Sequence, residues 1–432
     1  MIEALIGFAL VIGLSFFGIR IGFASLIVGF FGVVVIRGLN AGMTMVGQQV
    51  LEGAMNYNLS VIPLFILMGT FIHKSEVSDD LYQAAYAGLS HIRGGLAHST
   101  VIACAGFSAV CGSSLATAAT MTKVAMPSMR KFNYNSSLST GAIAAGGTLG
   151  IMIPPSVPLV IYGLVTQQDI GQLFLAGIIP GLLLVLSFLI VVGIWSRVDP
   201  DSTPQDDEAL DKSSKRKSIL AVIPIVGLFI LVLGGIYGKM FTPTEASGVG
   251  ALGAGLIALS RGYLWKLSEL CDSLVETASS TASLFMVLFG AIVFLQYITL
   301  TGMPFDLMFW VEDMELSALG LVMIVIAIAL LMGMVFEAIG ILLLLVPVFL
   351  PALEAAGVDM IWFGIVVVLV IELGLITPPI GINVFVVSGI VKDVSLITIF
   401  KGVLPFALAM LVVLALIILV PDIVTFLPSM AH

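Results

Sequence analysis

Charge is what this 432-residue sequence has least of: Asp, Glu, Lys and Arg make up 10% of it, against about a quarter in a soluble chain. That shortage excludes an ordinary water-soluble globule. Cysteine is scarce as well, and the three present (Cys104, Cys111, Cys271) sit in apolar settings that exclude a disulfide framework. The four histidines, His73, His91, His98 and His432, show no metal-ligand spacing, so no transition metal is expected. Basic residues form no stripe and do not alternate with aromatics. With a net charge of −9 and an isoelectric point near 4.9, nucleic acid is excluded as a partner. The start, Met1-Ile2-Glu3, lacks the basic region of a cleaved signal, so the first apolar stretch is expected to be a membrane helix. An ATP motor is missing too, because Gly238-Lys239 has neither the earlier glycine nor the following Ser/Thr of a phosphate loop. Gly106-Phe107-Ser108 begins a nucleophile-elbow pattern, but Val110 stands where the second glycine belongs and no histidine is placed as base. The chain is therefore expected not to be an enzyme.

What is present is apolar length. Hydrophobic residues make up 59% of the chain, and its mean hydropathy is +1.18. A bilayer core of about 30 Å takes roughly 20 apolar residues per helical crossing, and the chain holds enough for about ten to twelve. The fold class is an all-α polytopic membrane protein, with lipid as a partner. The first half carries apolar stretches at Leu5–Phe17, Ile21–Ile36, Leu59–Ile72, Gly94–Met126, Gly141–Val165 and Leu173–Trp195. The second carries Ile219–Tyr237, Ala246–Leu259, Thr277–Leu300, Ala318–Leu350, Ile361–Val391 and Val403–Leu427. Between the halves (1–196 and 219–432) lies one hydrophilic linker, 197–218. Its acids Asp199, Asp201, Asp206, Asp207, Glu208 and Asp211 precede Lys212, Lys215, Arg216 and Lys217. Lys and Arg set topology and acids count little, which puts the linker in the cytoplasm.

The halves share a grammar. Gly150-Ile151-Met152-Ile153-Pro154-Pro155 aligns with Gly374-Leu375-Ile376-Thr377-Pro378-Pro379, 224 positions on. Gly22-Phe23-Ala24-Ser25 aligns with Thr244-Glu245-Ala246-Ser247, 222 positions on. Phe65–Gly69 aligns with Phe285–Gly290 with one insertion. Three matches in order, at nearly constant offset, mark an internally duplicated transporter.

The Gly-to-Pro-Pro segments are the least helix-like. Proline removes a backbone hydrogen bond and disfavours helix before it. Lipid cannot satisfy the groups this frees, so each break must face protein or a watered cavity. The helix halves then present dipole ends and bare carbonyls, suited to a small cation and an anion. Broken helices are therefore expected over about 141–165 and 361–391. Leu319–Leu350 is 32 residues long with one charge, Glu337, longer than a straight crossing needs. A helical hairpin entering and leaving by one face fits this, with Gly333 to Gly340 as its tip. Its counterpart covers about 95–129, with a tip at Cys111-Gly112-Ser113-Ser114, where small residues allow close backbone approach. For Leu115–Thr122, tight packing of small residues is the alternative.

These residues carry a resemblance. Cys111–Ser114, the Pro-Pro segments Gly147–Pro155 and Glu372–Asn383, and Phe241-Thr242-Pro243-Thr244-Glu245-Ala246 are similar to the large membrane subunit of TRAP (tripartite ATP-independent periplasmic) transporters, over essentially the whole chain. The resemblance implies an inverted-repeat, elevator-type carrier with two re-entrant hairpins, driven by co-transported sodium in a bacterial inner membrane. It also implies two protein partners, a small membrane subunit and a periplasmic substrate-binding protein, and an organic-acid substrate of the sialic acid or C4-dicarboxylate class. Carried over, its sodium sites fall near Gly112, Ser114, Gly150 and Ser156, and near Gly333, Gly374, Thr377 and Ile380. Where many members show an acid after the first tip's small residues, this chain has Thr117. A self-sufficient sodium–dicarboxylate symporter is the alternative. The residues expected at the substrate are Ser113, Glu245, Glu337 and Asn383. Among the ionisable groups, intramembrane acids default to functional candidates, and Glu337 is the foremost. Glu245 reads equally as a helix cap, and Glu372 as a structural hydrogen-bonding group or part of the site. Arg20, Arg37 and Arg93 read as topology or partner-contact residues.

Overall fold

A computed structural model describes residues 2–204 and 212–430. The linker acids Asp206, Asp207, Glu208 and Asp211, and His432, lie outside the described residues. The first half forms α1 (Ile2–Phe16), α2 (Ile21–Arg37), α3 (Leu39–Met55), α4 (Val61–Lys74), α5 (Val77–Leu89), α6 (Gly95–Cys111), α7 (Ser114–Lys131), α8 (Ser136–Met152), α9 (Val157–Thr166) and α10 (Ile170–Val198). The second forms α11 (Lys212–Tyr237), α12 (Pro243–Ser260), α13 (Leu267–Leu300), α14 (Met303–Asp313), α15 (Ala318–Gly333), α16 (Ala338–Ala355), α17 (Met360–Gly374), α18 (Ile382–Ile390), α19 (Leu396–Leu419) and α20 (Asp422–Met430). No strand occurs among the described residues.

The starts of these helices follow local side-chain chemistry. Asp169, Ser317, Asp359 and Ser395 each accept a hydrogen bond from a backbone N–H in the first turn of the helix they precede, satisfying donors that a helix start leaves free. Thr242 and Glu245 form a reciprocal capping box at the start of α12.

Among the described residues, six helical spans are long and apolar enough to cross a membrane, or seven if α3 and α4, bent by 61°, count as one. That is fewer than the apolar residue count suggests. The difference lies in the breaks, which divide apolar sequence among shorter helices such as α6, α15 and α17. An arm of 17 residues such as α6 reaches about 25 Å at 1.5 Å per residue, less than the hydrocarbon core. Three helices also stand where apolar content gave no signal: α3 and α5, which carry many polar residues, and the short α14. The expected stretch 403–427 is interrupted at Val420-Pro421, where α19 gives way to α20.

α8 and α17 occupy the centre. Every residue of α8 from Leu138 to Met152 is buried, as is almost all of α17. The outside is apolar and exposed instead: on α10, Leu182, Leu186, Ile190 and Ile194 form a stripe at four-residue spacing, each more than half exposed. That is the surface a lipid-facing helix presents.

Close helix packing rests on glycine. A Cβ on Gly290 of α13 would lie 2.0 Å from the carbonyl oxygen of Gly22 in α2, and one on Gly141 of α8 would lie 2.3 Å from the carbonyl carbon of Gly402 in α19. Small residues let backbones touch where lipid supplies no hydrophobic drive for association. The segments aligned by the sequence offset lie in α2 with α12, in α4 with α13, and in α8 with α17. Across the halves, α2 packs on α13 and α4 on α12, while α7 packs on α18 and α9 on α16.

Candidate functional site

Two junctions form where a helix pair meets a broken helix. At the first, α6 and α7 pack along each other and turn at Gly112-Ser113. Gly112 adopts a left-handed φ of +62°, which costs glycine little. A Cβ there would also crowd the Pro155 carbonyl oxygen at 3.2 Å. Ser113 caps α7, accepting from the Ala116 N–H. The turn lies on the end of α8: a Cβ on Gly147 would lie 3.0 Å from the Ser114 carbonyl oxygen, and one on Gly150 would lie 2.9 Å from the Ser108 side chain. Ser108 is fully buried and donates to the Thr117 hydroxyl at 3.3 Å. After α8 the chain is non-helical over 153–156, until Ser156 caps α9 by accepting from the Leu159 N–H.

The second junction is tighter. α15 and α16 pack on each other and are separated by 334–337, a shorter turn than Gly333 to Gly340 because Ala338 already begins α16. Gly333 and Gly374 meet backbone to backbone. Beyond α17 the chain leaves helix over 375–381, and the Gly381 N–H donates to the Met334 carbonyl at 3.2 Å, tying the break to the turn. The Thr377 hydroxyl donates to the Leu373 carbonyl at 2.6 Å.

Both turns project into one cavity of about 980 Å³. The first turns of α7, α9 and α16 line it, through Ser114, Val157 and Ala338 among others, and so do the last turns of α1, α6 and α8, through Phe16, Cys111 and Ile151, so dipole ends of both signs meet at the space. The opposite wall comes from α1 and α2 near Arg20, from α4 (Gly69, Thr70, His73) and from α13 (Glu276, Ser280, Ser283). Glu276 is bridged by Lys74 at 3.0 Å. His73 Nδ1 is 3.4 Å from the Thr120 hydroxyl. Arg20 and Lys123 have no ion-pair partner among the described residues, and the charge of Arg20 acts on Glu337. With Glu276 paired to Lys74, the cations Arg20 and Lys123 outnumber the one remaining carboxylate, Glu337, in the lining, which suits an anion.

Of the residues singled out from the sequence, Gly112, Ser113, Ser114, Glu337 and Ile380 line this cavity. Gly150, Ser156, Gly333, Gly374 and Thr377 lie behind it, at the contacts just described. Glu245 does not reach it and is exposed in the capping box, where it accepts from the Thr242 N–H at 2.8 Å. Asn383 does not line it either: fully buried, it donates through Nδ2 to the Ala144 carbonyl at 3.5 Å, and its Oδ1 has no partner. Arg20 is placed in the cavity wall, not on a rim of topological signals alone. His73, Lys123, Glu276, Ser280 and Ser283 were not legible as site residues, although Glu276, Ser280 and Ser283 form a polar stripe at i, i+4 and i+7 on an apolar helix.

Comparison with known proteins gives this geometry a context. The family described as "Tripartite ATP-independent periplasmic transporter, DctM component" matches residues 8–423. The C4-dicarboxylate TRAP transporter large permease protein DctM of Pseudomonas aeruginosa is 35% identical over 382 residues, 88% of each chain. The sialic acid TRAP transporter large permease protein SiaM of Vibrio cholerae is 31% identical over 97% of each chain. The ectoine TRAP transporter large permease protein TeaC of Halomonas elongata is 32% identical over 99% of this chain and 96% of its own. Among solved structures, the YdaH transporter of Alcanivorax borkumensis superimposes with a TM-score of 0.65 over 88% of each chain, at 15% identity, a likeness of fold alone.

Proposed function

This chain belongs to the DctM component family of tripartite ATP-independent periplasmic transporters, and we propose that it is the large permease subunit of a sodium-coupled importer of a small carboxylate-bearing molecule. In this reading a periplasmic binding protein delivers the substrate and a small membrane subunit completes the carrier, in the inner membrane of a bacterium. The observation that supports it best is the cavity between the two turns, where Arg20 and Lys123, with no ion-pair partner among the described residues, outnumber the carboxylate of Glu337. Its volume of about 980 Å³ is at the upper end of small-molecule sites. It therefore accommodates a sugar acid as readily as a dicarboxylate.

Sodium is assigned to the two junctions. Gly112, Ser114, Gly150 and Ser156 surround the first, and Gly333, Gly374, Thr377 and Ile380 the second. Hard cations take oxygen donors, and the non-helical backbone of 153–156 and 375–381 supplies carbonyls beside serine and threonine hydroxyls. Substrate contacts are assigned to Ser113 and Glu337 on the cavity wall. The crosswise packing of α2 on α13 and α4 on α12 supports two interlocked inverted repeats. The pairs α6–α7 and α15–α16 would then be re-entrant hairpins of the moving part in an elevator cycle.

Uptake into vesicles holding this chain and its small subunit, with and without the binding protein, tests the assignment. Uptake only when the binding protein is present is the expected result. Full uptake without it makes the chain a self-sufficient symporter.

A further inference from the structure

We propose that Glu372, Asn383 and Ser114 form a buried monovalent-cation site behind the first turn, with the Glu372 carboxylate as its charged ligand. The proposal rests on the sodium-coupled reading above and adds a charged ligand that neither junction otherwise has. Glu372 and Asn383 are both 0% exposed. Neither carboxylate oxygen of Glu372 has a hydrogen-bond partner, and neither does Asn383 Oδ1. Three buried acceptors without a donor are costly in a membrane interior unless something positive lies among them.

The fold brings these acceptors together. Asn383 N–H donates to the Leu375 carbonyl at 3.1 Å, one turn past Glu372. Its side-chain amide reaches the Ala144 carbonyl, one turn before Gly147, and the Gly147 position abuts the Ser114 carbonyl oxygen. Ser114 is the polar side chain that bears on the Glu372 carboxyl, without a hydrogen bond of standard geometry between them. Glu372 therefore reaches from the second half of the chain to the turn of the first. A single carboxylate beside an amide and a hydroxyl oxygen balances one positive charge. Among the described residues no group of three His, Cys, Asp or Glu is placed to hold a metal ion, and a lone carboxylate suits a monovalent ion over a divalent one. Oxygen donors of this kind select a hard cation, and sodium is the one the carrier is proposed to use.

Equilibrium binding of radiolabelled sodium to the chain purified with its small subunit tests the site. Glu372→Gln keeps the shape of the side chain and removes the charge, so the bound stoichiometry should fall by one ion per chain. Glu372→Gln with Asn383→Asp moves the carboxylate across the same pocket and should restore that ion. Should the single variant not fold, the double variant, which retains one carboxylate and one amide there, carries the measurement alone. Wild-type stoichiometry in folded Glu372→Gln, or no restoration in the folded double variant, overturns the site. If Thr377→Val still lowers sodium binding while Glu372→Gln does not, this site fails and the sodium reading stands. No saturable sodium binding to the wild-type chain defeats both.

Discussion

Gly333 and Gly374 touch through their backbones: a Cβ built on Gly374 would lie 2.6 Å from both the Cα and the carbonyl carbon of Gly333. The obstruction is main chain, so no rotamer change relieves it. This contact holds the turn of α15–α16 against the break after α17, where the second sodium site is proposed.

Gly374→Ala should therefore force the two segments apart. Overpacking of this kind costs about 1–3 kcal/mol. The variant should unfold at lower temperature and lose most uptake. Gly389→Ala, at a position with nothing within 4 Å, is the matched control and should behave as wild type in both measurements.

Thr377 offers a second handle on the same junction. Its hydroxyl hydrogen is engaged by the Leu373 carbonyl at 2.6 Å, which leaves the oxygen's lone pairs available to a cation. Thr377→Val keeps the shape and removes that oxygen. The sodium concentration for half-maximal uptake should rise several-fold, with folding little changed. An unaltered sodium dependence in a folded variant would make Thr377 structural.

Glu337 precedes α16 and lines the cavity without a side-chain capping bond. A carboxylate near mid-membrane costs about 2.5–3.5 kcal/mol on insertion scales, and the Arg20 charge partly offsets that cost. Because a negative charge repels an anion, the role we propose for it is to accept hydrogen bonds from substrate hydroxyl or amide groups, or to hold the turn for sodium. Glu337→Gln should express and assemble normally yet transport far more slowly. Wild-type rates across the sodium range would leave Glu337 a polar group lodged in the turn.

Lys123, on α7, also lines the cavity and has no ion-pair partner among the described residues. Lys123→Gln should raise the half-saturating substrate concentration several-fold without lowering the unfolding temperature. The effect should be larger at low ionic strength, where charges are less screened.

Legibility tracked local chemistry. The breaks after Met152 and Gly374 were readable because consecutive prolines prohibit helix, and the first turn because Gly112 and its serine neighbours announce it. The second turn, 334–337, is shorter than the span Gly333 to Gly340. Met334, Val335 and Phe336 are apolar and carry no turn signal, so only Gly333 and Glu337 marked it. Helices α3 and α5 carry too many polar residues to stand out as apolar stretches. The far wall of the cavity was invisible for another reason. Glu276 and Ser280 share a polar stripe on α13, but they meet His73 at the site only through packing of α4 on α13 across the halves, which no local spacing encodes. Asn383 stood out on the broken helix, yet its side chain turns inward to Ala144 and away from the cavity.

Sodium coupling is the centre of this account, and uptake in reconstituted vesicles measures it directly. Vesicles holding this chain and its small subunit, supplied with the periplasmic binding protein and its substrate, should accumulate substrate only under an inward sodium gradient. Uptake should vanish when potassium replaces sodium at equal ionic strength, and undiminished uptake in potassium would contradict the account.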